Sequence, residues 1–248
     1  MIFIAVLAVT VGTLAGATGI GGFLLIPALM IVGGMQTHHA MATVLSSFFV
    51  LGIFATWSYQ RHGSIDWKIT VPVLAGSFIS SYAGAYAGAF ATARQLDILL
   101  ASIIIVSSSY ALSPKGQLNL AGRLSPRGNT VLLSGIGVFV GFLCGMTGAG
   151  GGILSVPVML LCGYPVLATI GCSQVLQSVV SLSGSVSNFA NGFIDFSIAW
   201  WITLCQLTGV MIGVRIAHTL PLDKLKKGVT WFCLATGIFI ACRAFVMH

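Results

Sequence analysis

The 248-residue sequence predicts an all-α polytopic membrane protein of two inverted repeats, each a re-entrant or short-helix hairpin followed by three transmembrane helices. Three observations predict it. Apolar residues make up 57% of the chain and charged residues 6%, whereas soluble domains carry about 25% charge. A glycine-threonine-proline phrase, AGATGIGGFLLIP at 15–27, returns as CGMTGAGGGILSVP at 144–157. The Lys and Arg residues sit in short gaps between apolar runs, the pattern that orients a membrane protein.

A shift of 129 residues aligns the halves. Gly16, Thr18 and Gly19 fall on Gly145, Thr147 and Gly148; after one inserted residue, Gly21, Gly22 and Pro27 meet Gly151, Gly152 and Pro157. The first offset then returns, pairing Asp66 with Asp195, Gly84 with Gly213 and Leu96 with Leu225. Residues 1–112 form the first transmembrane repeat, 113–129 a cytoplasmic linker and 130–248 the second repeat.

Within each copy the apolar runs read as helices, because lipid tolerates no unpaired backbone. In copy one they cover 2–15, 22–32, 40–59, 67–91 and 95–112; in copy two, 131–144, 152–162, 168–190, 196–216 and 225–246. A span needs about 20 residues, so the last three runs of each copy cross and the first two are marginal or short. Met1 to Leu14 lacks a basic leader region and has an internal counterpart at 131–143, so the N-terminus reads as mature.

Charge counting decides what the short pair does. If each pair made one broken span, Lys and Arg would divide six against five. If each pair returns to its starting side, Arg61, Lys68, Lys115, Arg123, Arg127, Arg215, Lys224, Lys226 and Lys227 lie together, with Arg94 and Arg243 opposite. Nine against two is an orientation signal. The crowded side is then cytoplasmic, both termini lie outside, and the copies are inverted, the layout of secondary transporters with a midplane site.

The glycine phrases then form hairpin tips deep in the membrane. Each second half-helix begins near Gly22 or Gly152 and turns its free N–H groups and positive dipole end inward. Two such ends make an anion site without a basic side chain. Candidate substrate contacts are Thr18, Gly21 and Gly22 in copy one, with Ser46 on the following helix, and Thr147, Gly151 and Gly152 in copy two. Close packing of small residues is the competing use of such glycines. On the copy-two helix that follows, Ser173, Gln174, Gln177, Ser178, Ser181, Ser185 and Asn188 make one polar stripe. Gln174 and Gln177 are its candidate selectivity residues, and Cys172 a candidate contact.

Other chemistry is poorly supplied. His38 and His39, read as ending the copy-one half-helix, have no third metal ligand nearby, so no metal or cofactor is expected. The six cysteines lack C-x-x-C spacing and read as packing residues. Asp66 and Asp195 precede long helices and read as caps. No His neighbours the stripe serines, which argues against an intramembrane enzyme, and the basic excess serves orientation, with no nucleic-acid partner.

The stretches GMTGAGGGILSVPVML and ATIGCSQ, with their echoes GATGIGGFLLIPALM and HHAMATVLSS, resemble the TauE/SafE sulfite exporter family over essentially the full chain. The resemblance implies a multi-pass transporter in the cell inner (plasma) membrane that moves sulfite or an organosulfonate such as sulfoacetate, with export favoured. A homodimer is an assembly it allows. An anion channel, or a carrier of another small solute or a metal ion, are the alternatives. The chain departs from the family pattern at Ile20, Phe23, Thr43-Val44 and Cys172-Ser173, close to the expected tips.

Overall fold

A computed structural model describes residues 2–20, 25, 29, 34–35, 37–88, 93–112, 120, 124–147, 151–190 and 194–246. The described residues form nine α-helices and no strand. Copy one supplies α1 (Ile2–Thr18), α2 (Thr37–Arg61), α3 (Trp67–Gly88) and α4 (Ala93–Leu112). Copy two supplies α5 (Pro126–Thr147), α6 (Gly152–Leu161), α7 (Val166–Ala190), α8 (Phe196–Thr219) and α9 (Leu222–Val246). Of the half-helix expected over 22–32, the described residues are Leu25 and Leu29, both helical and buried; the rest lies outside the described residues. Among the described residues, four segments are long and apolar enough to cross a membrane: Ala42–Arg61, Pro126–Met146, Phe196–Thr219 and Leu222–Cys242. Shorter apolar helices accompany them, among them Ile4–Thr18 and Gly152–Leu161.

Helix ends depart from the apolar runs where capping overrides hydropathy. α5 starts at Pro126, five residues before its apolar run and inside the segment read as linker, because Ser125 Oγ accepts from the Gly128 N–H (3.3 Å) and Pro126 suits the first helical position. His38 and His39 do not end a half-helix; they lie in the first turn of α2, which begins at Thr37. The two aspartates cap as expected. Asp66 Oδ1 accepts from Lys68 N–H (2.9 Å), and Asp195 Oδ1 accepts from Ser197 and Ile198 N–H (3.0 and 3.3 Å). Trp57, Trp67, Trp200, Trp201 and Trp231 are all exposed, as anchors facing lipid and its headgroups would be.

Contacts between the copies define helix directions. Along α1 and α8, Gly12 abuts Gln206 and Gly16 abuts Val210, so these helices run parallel. Along α3 and α5, Gly137 abuts Val73, Gly141 Ser77 and Gly145 Ser81, again in parallel. By contrast, α2 and α7 run antiparallel, with Gly52 beside Ser178 and Ile65 beside Gly171. So do α4 and α9, where Gly237 meets Ile104 and Ile105 while Cys233 reaches Ser108.

These close contacts use matched glycines. A methyl on Gly12 would sit 2.9 Å from the Gln206 Cα, and one on Gly16 would meet the Val210 carbonyl oxygen at 2.6 Å. Gly209 and Gly213 return the favour against Val9, Thr13 and Ala17. The same arrangement joins Gly141 and Gly145 to the α3 face carrying Ser77, Ser80 and Ser81. Small residues four apart let backbones touch, and in lipid such contact replaces the missing hydrophobic drive.

Candidate functional site

The directions fix the course of each copy's first helices. Thr43 Oγ1, near the start of α2, accepts from the Asp195 N–H at the start of α8 (3.2 Å), and α8 runs parallel to α1. At the other end, Tyr59 in the last turn of α2 donates to the carbonyl of Gly16 in the last turn of α1 (2.7 Å). Thus α2 starts back on the side where α1 started. In copy two, Tyr164 before α7 donates to Asn129 Oδ1 near the start of α5 (2.6 Å), so α6 carries the chain back. The ten residues of α6 reach about 15 Å, half of a hydrocarbon core about 30 Å thick.

At the inner end of α6 the two copies meet. Gly151 caps α6 and Gly152 opens it, both buried. A methyl on Gly152 would overlap the Gly19 carbonyl oxygen, and one on Gly151 would press on the Leu176 Cβ at 2.8 Å, midway along α7. Gly19 ends α1 with φ +76°, a left-handed turn glycine adopts freely, and sits against Ser173 and Val156. So the end of α1, the N-terminus of α6 and the middle of α7 converge.

A helix C-terminus inside a membrane needs donors for its last carbonyls. Ala15 receives the Gly19 N–H (2.9 Å) and Gln174 Nε2 (2.8 Å), while Gly16 receives Tyr59. These donors offset the negative end of the α1 dipole, which would otherwise oppose an anion at the adjoining N-terminus of α6.

The expected site residues separate accordingly. Gln174 is buried and holds the α1 tip. Gln177 is buried one turn further along, its Oε1 3.6 Å from the position of a Gly152 methyl, and no side-chain hydrogen bond holds it among the described residues. Gly151, Gly152 and Ser173 lie at the same junction, although Ser173 Oγ donates to the Ile170 carbonyl (2.7 Å). The Thr18 hydroxyl is taken up by its own helix end, within 2.7 Å of the Leu14 carbonyl and 3.1 Å of the Ile20 N–H it accepts. Ser46 Oγ donates to the Thr43 carbonyl (2.8 Å). Cys172 is fully buried beside Thr70 of α3, toward the loop that joins α2 to α3. Gly21, Gly22 and the Thr147 side chain lie outside the described residues; the Thr147 backbone closes α5. No group of three His, Cys, Asp or Glu gathers among the described residues to hold a metal ion.

Two participants escaped the sequence reading. Tyr59 was hidden in an apolar run, and only the fold brings its hydroxyl to Gly16. Gln206 did leave a signal, as a lone carboxamide inside WWITLCQLTGVMIG. It is fully buried, and neither its Nε2 nor its Oε1 has a hydrogen-bond partner.

Where α2 and α8 end, the Tyr59 ring lies 5.0 Å from that of His218, Ser64 Oγ and His218 Nε2 are 2.8 Å apart, and the His62 ring stacks on His218 with centroids 4.2 Å apart. The ends of α2 and α8 therefore share a face, which joins the Arg61–Lys68 charges to the Arg215–Lys227 charges.

Apolar spanning helices, half-length α6 and a junction of glycines and carboxamides define a polytopic membrane transporter. The profile of the family "Sulfite exporter TauE/SafE" matches residues 3–240, and the chain belongs to that family. It is a family of membrane transporters, not enzymes. Relatives include the "Probable membrane transporter protein YdhB" of Bacillus subtilis, 24% identical over 88% of this chain and 91% of the relative. YjnA of the same organism, also a "Probable membrane transporter protein", is 26% identical over 92% and 94%. "Probable membrane transporter protein MJ0441" of Methanocaldococcus jannaschii is 24% identical over 93% and 91%. No solved structure gives a significant match.

Proposed function

We propose that the protein carries a small sulfur-containing anion, sulfite or an organosulfonate such as sulfoacetate, outward across the plasma membrane. The observation that carries this reading is the junction of the α1 tip with the N-terminus of α6, buried and flanked by Gln177. An N-terminus in low dielectric attracts an anion through backbone N–H groups and dipole, so no arginine is needed. The carboxamide of Gln177 then donates to one of its oxygens. Membership of the sulfite exporter family supports the substrate class.

The reading includes two inverted repeats, 1–112 and 130–248, joined by the linker 113–129. Antiparallel α2/α7 and α4/α9, with first helices docked in parallel on the other copy's α3 or α8, support that arrangement. Rocking of one copy on the other would open the junction alternately to each side. The face shared by Arg61, Lys68, Arg215 and Lys224 is the cytoplasmic one by the positive-inside rule, and both termini lie outside. An inside-negative potential favours anion exit, so export needs no coupling ion.

Flux into proteoliposomes of purified protein tests this, with sulfite, sulfoacetate, thiosulfate, sulfate and chloride as probes. Saturable flux of one sulfur anion, reduced about tenfold or more by Gln177→Ala, is expected, tenfold being what one lost hydrogen bond to a charged group amounts to. Unsaturable flux of every anion would indicate a channel instead, and no flux would remove the assignment.

A further inference from the structure

Two histidines meet where α2 and α8 end, and one side chain links them to the tip of α1. His218 Nδ1 lies 2.7 Å from the Val214 carbonyl, which can only accept, so Nδ1 carries the proton. Its Nε2 is then left to accept from Ser64 Oγ (2.8 Å). His62 Nδ1 donates in the same way to the Ser58 carbonyl (2.8 Å). Both neutral rings are thus fixed in one tautomer and stacked, with centroids 4.2 Å apart. His62 is exposed and His218 half-buried. Beneath them Tyr59 is fully buried, its ring 5.0 Å from that of His218 and its hydroxyl on the Gly16 carbonyl (2.7 Å).

This chain of contacts covers the α1 tip from the side where α2 and α8 end. Val210 abuts Gly16, and His218 follows Val210 on α8 by two turns, about 12 Å. Tyr59 bridges that interval. It also precedes His62 by one turn on α2, so the two side chains share a face. Gly209 and Gly213 fix α8 against α1, whereas α2 ends at Arg61. A force on the His62 ring therefore acts on the turn that carries Tyr59.

The charged groups on the elements that meet here are mostly cationic. α2 brings Arg61, its guanidinium 4.1 Å over the Trp57 ring; α3 brings Lys68 and its cap Asp66; α8 brings Arg215; α9 brings Asp223, Lys224, Lys226 and Lys227. α1 has no charged side chain, and α7 only the buried thiol of Cys172 beside Thr70. Each histidine lies at a helix C-terminus, where the negative end of the dipole favours one proton. A second proton meets the first at stacking distance, among more cations than carboxylates. Two charged rings repel at that distance, so the pair titrates as a unit and its fully charged form does not stay stacked.

We propose that His62 and His218 form a pH-operated latch on the transport junction. Stacked, the rings hold Tyr59 on Gly16 and keep the α1 tip closed toward the face where α2 and α8 end. Acidification separates them, frees Tyr59 and opens the tip to that face. The inference rests on the reading of that junction as the transport site.

The test follows amide hydrogen exchange of residues 14–19 in lipid nanodiscs and sulfite flux in proteoliposomes. Both are run with equal pH on the two sides, at about pH 7.5 and about pH 5.5, on either side of the ordinary histidine range. Comparing proteins at one pH cancels the intrinsic pH dependence of exchange and the titration of sulfite itself. His62→Phe keeps a stacked ring that cannot be charged. It is expected to match wild type at the higher pH. At the lower pH it should exchange and transport about fivefold more slowly than wild type, the worth of one neutral hydrogen bond. Tyr59→Phe lacks the latch bond and should exchange at the faster rate at both pH values. A ratio of wild type to His62→Phe that is the same at both pH values would make His62 a packing residue and overturn the proposal. A Tyr59→Phe protein that keeps the wild-type pH dependence would do so as well. His62→Gln, with neither ring nor charge at an exposed position, guards against a fault peculiar to the Phe variant: pH dependence that survives in it also overturns the latch. If wild type moves no sulfur anion while its exchange still depends on pH through His62, the proposed function fails and the latch stands.

Discussion

Gln174 Nε2 donates to the Ala15 carbonyl at 2.8 Å, a bond that crosses from the second half of the chain to the first and closes the end of α1 inside the protein. That carbonyl also accepts the Gly19 N–H at 2.9 Å, so the glutamine supplements a cap already made.

Removing it therefore has a bounded effect. Gln174→Leu should lower stability by about 0.5–1.5 kcal/mol, because Ala15 keeps one partner and hydrogen bonds within membranes are individually modest. Thermal unfolding in nanodiscs measures it. A loss no larger than that of Gln177→Leu would show that the bond does not hold the tip.

Gly152 has no room for a side chain. Gly152→Ala drives a methyl into the Gly19 carbonyl, a backbone atom that cannot swing aside, and should destabilise by about 1–3 kcal/mol or more. Gly135, on the open face of α5, has nothing within 4 Å of an added methyl. Gly135→Ala should instead stabilise by about 0.5–1 kcal/mol through lower backbone entropy of the unfolded chain. Equal behaviour of the two variants in urea or heat would contradict the described junction.

The Ser64–His218 contact brings the ends of α2 and α8 to one face. Single cysteines placed at Gly63 and at Lys224 should both react with a membrane-impermeant thiol reagent added to the cytoplasmic side, and one at Arg94 only from the opposite side. Reaction of Gly63→Cys and Lys224→Cys from different sides would refute the shared face.

Tyr164 offers a pH signature outside the spanning segments. Burial first, and Cys162 second, push its phenol from 10.0 up to about 12. The neutral form is the one the fold keeps, since it donates to Asn129. Its contribution is thus fully present below pH 10.0 and is lost as pH rises toward about 12, where the unfolded chain has already ionised. Tyr164→Phe should flatten the alkaline decline of stability in that window; an unchanged alkaline profile would mean the phenol titrates equally in both states.

Some of the fold was legible because lipid imposes few solutions. Long apolar runs had to be helices, and Asp66 and Asp195 announced their caps by preceding such runs. Pro126 was missed because Arg127 and Asn129 look like linker when hydropathy alone is read, though Ser125 and the proline are a helix start in chemical terms. In the candidate site, Gly151, Gly152, Gln174 and Gln177 were visible as a repeated phrase and a polar stripe. What each does was not visible: Gln174 proved to cap a helix 159 residues away. Gly12, Gly16, Gly209 and Gly213 gave no hint of partnership across the copies.

The sequence by itself determined the membrane setting and the helical class, since these follow from composition and from hydropathy along the chain. Only the tertiary structure decided that the Gln174 carboxamide is tied to Ala15 and that the buried Gln206 carboxamide has no partner. The reason is physical. Hydropathy and charge act residue by residue and accumulate along the chain, whereas a hydrogen bond or a glycine contact acts over about 3 Å, between groups whose separation in sequence says nothing of their separation in space.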